Sequence, residues 1–195
     1  LKTVDIHSVY CAGKLVPAEK PAPGPACPEK LLNSVRVPAL AASDFALAVK
    51  EPYSSVIEMV PGQLTTNHLR AAVPAQNGFF APNGEFNKVV VIERHKNTGH
   101  LGVAPVRGFF IKNGAIGTTR AHDSHNSVLV GDREEATLAA LNELKRTQGG
   151  FALITGGREA HTLPLPLNTL PLPVMGLMTE APSAQVEARL SAMLK

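Results

Sequence analysis

Between residues 88 and 131 short β-forming runs alternate with turn dipeptides, and this pattern commits the middle of the chain to a sheet. Residues 88–95 (KVVVIERH) carry the strongest strand pattern, because β-branched side chains suit a pleated surface better than a helix. Residues 96–99 (KNTG) read as a turn. Residues 108–112 (GFFIK) run into Asn113-Gly114 and then residues 115–118. Asn and Gly both accept positive φ, so the pair predicts a hairpin. Residues 127–130 (SVLV) predict another strand, and the middle third reads as a β-meander.

The flanks add two kinds of element. Residues 56–60 (VIEMV) are β-like and end at Pro61-Gly62, and Asn83-Gly84 marks another turn. Asp132 followed three residues later by Glu135 has the form of a capping box, with Leu138, Leu141 and Leu144 as the stripe of a helix stopped at Gly149-Gly150. Residues 151–155 then predict a strand, Gly156-Gly157 a tight turn and residues 158–163 the returning strand. Pro182 suits the first turn of a last helix, whose buried face would be Val186, Leu190, Met193 and Leu194. The expected fold class is α+β: a mainly antiparallel sheet with two or three packing helices and no TIM barrel within this chain.

Residues 1–32 differ from the rest. Residues 9–16 (VYCAGKLV) read as strand, turn, strand, and Pro17, Pro21, Pro23, Pro25 and Pro28 follow within twelve residues. Proline fixes φ and removes a donor, so this stretch is a connector. The division predicted is 1–32, a short β segment plus proline-rich connector, and 33–195, the main domain.

Composition narrows the function. With 195 residues, 44% hydrophobic, the chain can bury one core. A net charge of +3, scattered basic residues and no Trp disfavour nucleic acid. The prolines at 164, 166, 171 and 173 interrupt the one long apolar stretch, so no membrane span is expected. Cys11 and Cys27 lack CxxC spacing, and a reduced cytoplasmic setting is the simpler reading. No phosphate-binding glycine motif and no GxSxG is present.

Chemistry concentrates in His122, Asp123, Ser124, His125 and Asn126. Imidazole and carboxylate are the commonest acid/base groups and metal ligands. If the segment turns, both imidazoles share a face. If it is extended, they diverge. A catalytic zinc usually wants three protein ligands, and no third is fixed by spacing. The plainer reading is a polar turn in which Asp123 and Asn126 satisfy backbone N–H groups. Glu93 and His95 flank Arg94 at the end of the strongest strand; a solvated charged triplet is the plainer reading there, as for His100 nearby. His7, His68 and His161 lack local partners and read as surface residues.

Residues 89–126 resemble the C-terminal domain of bacterial and archaeal adenine deaminases. The likeness rests on IERH at 92–95, TGHLG at 98–102, GFFIKNGAIGTTRAHDSHN at 108–126, QGG at 148–150 and LPLPVMGLM at 170–178, with weaker echoes at Gly13, residues 33–37 and residues 60–66. It covers nearly the whole chain from about residue 31. Thr118, Thr119 and Arg120 replace the small residues usual before AHDSHN, so Arg120 alters what sits beside the motif.

The resemblance implies membership of an amidohydrolase in purine metabolism. Its reaction converts adenine and water to hypoxanthine and ammonia, with a metal-bound hydroxide attacking the ring carbon that bears the amino group. Manganese or iron is implied for the whole enzyme, on a barrel with an HxH pair. This chain has no HxH and is too short to hold a barrel of about 250 residues beside the domain described, so neither metal nor a metal ligand is expected on it. The implied partner is that barrel, on the same or a separate chain, with adenine as the substrate of the whole and a homo-oligomer left open. His122, Asp123, His125, Asn126, Glu93 and His95 are the candidates to shape or close the active site. The competing expectations are a scaffold or dimerisation domain, a metal-binding module using His122, His125 and perhaps His95, and a stand-alone interaction protein.

Overall fold

The valine run at residues 89–91 lies at the centre of an eight-stranded sheet. In a computed structural model, which describes residues 6–16, 24–156 and 167–194, the strands are β1 (Tyr10–Cys11), β2 (Lys14–Leu15), β3 (Ser54–Met59), β4 (Thr66–Ala71), β5 (Ala75–Gln76), β6 (Phe79–Phe80), β7 (Phe86–Ile92), β8 (Leu101–Arg107), β9 (Gly114–Thr118), β10 (Ser127–Gly131), β11 (Gly150–Thr155) and β12 (Leu167–Pro171). Helices α1 (Glu134–Arg146) and α2 (Ser183–Met193) follow β10 and β12. The large sheet runs β12-β11-β9-β10-β7-β8-β3-β4. Its neighbours are antiparallel except β3 and β8. The fold is α+β, the sheet is open, and no barrel is formed by the described residues.

The core lies between one sheet face and α1. Alternate residues of the central strands, Val90, Ile92, Leu129, Ala152 and Ile154, pack with Ala136, Ala140, Leu141 and Leu144 of the helix. Leu141 and Leu144 are buried as the stripe predicts, and Leu138 packs against the core half-buried. Gly117 permits the approach of α1: a Cβ there would lie 3.1 Å from Leu144 and 3.4 Å from Ala140.

Several expectations are corrected. Residues 108–112 form no strand, so the Asn113-Gly114 hairpin does not exist. Asn113 does have positive φ (58°), but the ladders of β9 run to β10 and β11. β10 enters between β7 and β9, so the middle third is not a simple meander. β8, which carries Pro105, was not expected as a strand. Pro105 is tolerated there because β3 pairs with β8 only from Val106 onward.

Asp132 does not cap α1, whose N-cap is Arg133 without a side-chain cap bond. Its carboxylate instead accepts from the backbone N–H of Asn113 (2.5 Å) and Gly114 (2.9 Å). Asn87, fully buried, fastens the same loop, donating to Ile111 O (2.9 Å) and accepting from Ile111 N (3.0 Å). The predicted strand 158–163 lies outside the described residues, as does Gly157; the described partners of β11 are β9 and β12. In α2 no residue is buried: Leu190 is 39% and Leu194 80% exposed, while Val186 and Met193 are half-buried.

The β1–β2 hairpin forms a separate two-stranded sheet. No helix among the described residues is long and apolar enough to cross a membrane. Cys11 and Cys27 are both free thiols.

Candidate functional site

Antiparallel pairing sets where the candidate residues go. Ser127 is opposite Ile92 and Val128 is opposite Thr118, so the segment after β7 and the segment between β9 and β10 leave the same end of the sheet. The first carries Glu93, Arg94 and His95. The second carries His122, Asp123, Ser124, His125 and Asn126.

The second segment turns. His125 N donates to Ala121 O (2.9 Å) and Ser124 N to His122 O (2.9 Å). Asp123 (φ 69°) and His125 (φ 51°) take left-handed backbone conformations, which cost a residue with a Cβ about 1–2 kcal/mol each. Something must hold the turn against that cost, and the holder is Arg94.

Arg94 is 1% exposed. Its guanidinium donates to His125 O (2.5 Å), Met175 O (3.0 Å) and Ser34 O (3.3 Å). One side chain thus ties the turn to the backbone at Met175 and at Ser34. Burial pushes its pKa below the usual guanidinium value. Three carbonyl dipoles stand in for the water it has lost. A solvated triplet is therefore wrong for Arg94, and sequence reasoning missed its role. The available clue was an arginine two residues beyond the β-branched run of residues 89–92.

Glycine and threonine complete the support. Gly176 has φ +71°, and a Cβ there would lie 2.8 Å from Arg94 Nη1. Thr119, fully buried, donates to Gly176 O (2.6 Å) and accepts from Gly150 N (2.8 Å). Thr119 therefore belongs to the framework, whereas Arg120 is exposed.

Glu93 serves its own turn. Its carboxylate accepts from the backbone N–H of His95 (2.5 Å), Lys96 (2.8 Å) and Thr98 (3.4 Å), and from Thr98 Oγ1 (2.9 Å). Loss of solvation opposes ionisation, yet these four donors prevail and hold its pKa at about 2. Glu93 is thus a clasp for residues 93–98 that stays charged at neutral pH. His95 reaches the neighbouring turn, with Nε2 3.1 Å from Ser124 O.

The polar side chains of the turn point outward. His122 Nδ1 lies 2.9 Å from Asp123 Oδ1, with those side chains 98% and 90% exposed. His125 is exposed and Asn126 half-buried. The backbone N–H of Asn126 donates to Ser124 Oγ (3.3 Å); Asp123 meets His122 and not the backbone. His7, His68 and His100 are exposed, and His161 lies outside the described residues.

No three of His, Cys, Asp and Glu are placed to share a metal ion among the described residues. Three protein ligands are the usual complement of a catalytic zinc site. What the site offers is an exposed imidazole–carboxylate pair, His122 and Asp123, with the imidazoles of His125 and His95 nearby, on a turn fastened by Arg94.

Residues 63–195 match the family model described as adenine deaminase C-terminal domain. The chain is 49% identical over 194 residues to an adenine deaminase of Desulfitobacterium hafniense, covering 100% of this chain and 33% of that protein. It is 37% identical over 195 residues to one of Dehalococcoides mccartyi (97% and 33%) and 38% identical over 194 residues to one of Nitratidesulfovibrio vulgaris (97% and 32%). The chain thus spans about a third of the length of the relatives it matches. By the match over residues 63–195 and by these identities, the chain belongs to the adenine deaminase family and corresponds to its C-terminal domain.

Proposed function

We propose that this domain serves an adenine deaminase by holding His122–Asp123 and its neighbours at the rim of an active site carried by the rest of the protein. The observation behind the reading is the division of labour in the turn. A buried Arg94 fastens the backbone carbonyl of His125, while the His122 and Asp123 side chains stay almost wholly exposed. Asp in a turn commonly accepts from the turn's own backbone N–H groups, whereas Asp123 meets the His122 imidazole. The whole protein would convert adenine and water to hypoxanthine and ammonia. The metal that activates water in such a reaction, manganese or iron, would sit outside this chain.

The test is a pair of substitutions in the complete deaminase, His122→Ala and Asp123→Ala. The expected result is a fall in kcat/KM for adenine of at least about tenfold, about 1.4 kcal/mol of transition-state stabilisation. Thermal stability should stay within about 0.5 kcal/mol, because both side chains are exposed. Unchanged kcat and KM would remove the reading.

The second reading is a scaffold or dimerisation domain. Its supporting observation is the exposed apolar side chains of Leu190 in α2 and Leu194 at its C-cap. It predicts unaltered kinetics for both variants. The proposal also includes a cytoplasmic setting in purine metabolism, motivated by the two free thiols. Recovery of the protein in an oxidising compartment would refute that part.

A further inference from the structure

One face of the large sheet is covered by α1, and the opposite face carries an apolar strip with no helix across its middle strands. Register defines it. Phe151, Thr118, Val128, Val91 and Gly102 stand opposite one another in turn across β11, β9, β10, β7 and β8, so their outward sides share one face. They alternate with Val90, Leu129 and Ala152, which pack into the core under α1. The neighbouring row, Leu153, Ile116, Val130, Val89 and Ala104, is partly closed by Ile111 and Met59. Among the described residues nothing comparable closes the first row. Val91 is 36% exposed, Gly102 is exposed, and Phe151, Thr118 and Val128 are half-buried.

A sheet face that meets water normally alternates to polar side chains. Here ten adjacent positions carry no charge, and β-branched residues dominate. Depletion of charge in a contiguous apolar patch marks the centre of an interface. Five strands at about 4.8 Å spacing make the strip roughly 19 Å across, wide enough for a packed layer.

We propose that this strip is the surface on which the rest of the deaminase packs. Two observations select that occupant. The relatives are about three times as long as this chain, so the larger part of such a protein must meet this domain somewhere. The strip also ends beside the turn of residues 121–126: Thr118 is the last residue of β9 and Val128 the second of β10, while Val91 and Gly102 lie one residue inside the strand ends that flank the turn carrying His95. A body seated on the strip reaches the exposed His122–Asp123 pair at its edge. The inference rests on the deaminase reading above and adds the docking face to it.

The test uses the complete deaminase with Cys11 and Cys27 replaced by serine and a single cysteine installed. Val91→Cys and Gly102→Cys probe the strip. Gly102 tolerates a side chain, since a Cβ there meets nothing within 4 Å. Ala72→Cys, exposed just past the edge strand β4, is the reference. Both strip thiols are expected to react with a thiol reagent at least about tenfold more slowly than the reference in the native protein, and equally fast in urea. Equal native rates at either strip position would overturn the inference. Protection lost on dilution, as the mass falls from dimer to monomer, would assign the strip to a second copy and also overturn it. Adenine turnover with manganese or iron is measured on the same samples. Turnover without protection removes this inference alone, and absent turnover removes the reading and the inference together.

Discussion

Replacing Arg94 by methionine tests whether the exposed turn is fastened from beneath. The substitution keeps an unbranched apolar stem and deletes every donor. It leaves the carbonyls of His125, Met175 and Ser34 without their partner. A buried acceptor left unsatisfied costs about 1–3 kcal/mol. Two of the three bonds are short and the third, at 3.3 Å, is weak, so the gross loss is about 3–6 kcal/mol. Against it stands relief of a buried cation for which no carboxylate partner exists among the described hydrogen bonds and ion pairs, and water can reach the carbonyl of the exposed His125. The net expectation is about 3 kcal/mol of destabilisation. For a protein part of this size that corresponds to a fall in Tm of roughly 6–12 °C.

Urea unfolding of the Arg94→Met and Arg94→Lys proteins measures this directly. Lysine keeps the charge, but one compact ammonium cannot span three carbonyls on three segments, so it should recover only part of the loss. The kinetic arm separates position from stability. At a temperature where the variant is folded, Arg94→Lys in the complete deaminase should lower kcat for adenine while leaving the His122–Asp123 pair chemically intact. Arg94→Met within about 0.5 kcal/mol of the parent protein would refute the argument, because the three carbonyls would then need no donor.

Glu93 gives a pH dependence. Its folded pKa, about 2, lies below the usual 4.5, so the folded state binds fewer protons. Its contribution is complete above about pH 4.5 and is lost as pH falls toward 2. Carbon-detected titration of the Glu93 carboxyl should show this, and Glu93→Gln should flatten the acid limb of the stability curve; a midpoint at or above 4 would contradict the four-donor clasp. Gly176→Ala should cost roughly 2–4 kcal/mol in urea unfolding, from positive φ together with a Cβ driven against Arg94. Asn87→Ala removes both bonds to Ile111 and should cost about 2–3 kcal/mol. Faster hydrogen exchange of the Ile111 amide, with β11 amides unchanged, is the specific readout, and unchanged Ile111 exchange would show that Asn87 does not hold the loop.

Local chemistry made the central elements legible and left their neighbours hidden. The Val/Ile run of β7, the strand β10 and the stripe of α1 follow from side-chain shape and period, which a short stretch of sequence contains in full. The hairpin expected around Asn113-Gly114 failed for a different reason. Asn113 does adopt the positive φ that its type favours, but a turn conformation does not choose which strand comes next, and β9 finds its ladders on β10 and β11. Asp132 shows the same limit. A carboxylate before a helix can accept from the helix or from anything else nearby. Here two N–H groups about twenty residues upstream reached it first.

The candidate site divides along the same line. The polar density of residues 122–126 is visible in sequence because it is contiguous. What gives those residues a fixed geometry is not contiguous at all. Arg94 is 31 residues from His125 and 81 from Met175, and Thr119 is 57 from Gly176. Each is a single residue whose type is unremarkable alone. An arginine after a strand reads as solvated until the strand order places it beneath a turn with three carbonyls facing it. The apolar strip opposite α1 arises in the same way, since five strands each supply one outward residue and only the order β11-β9-β10-β7-β8 makes them a surface. For this domain the groups offered to chemistry are written locally, while the parts that aim and dock them are written in pairings across the sheet. Substitutions at Arg94 and Gly176 therefore test how the turn is held and Val91 tests the docking face, while His122 and Asp123 test the chemistry itself.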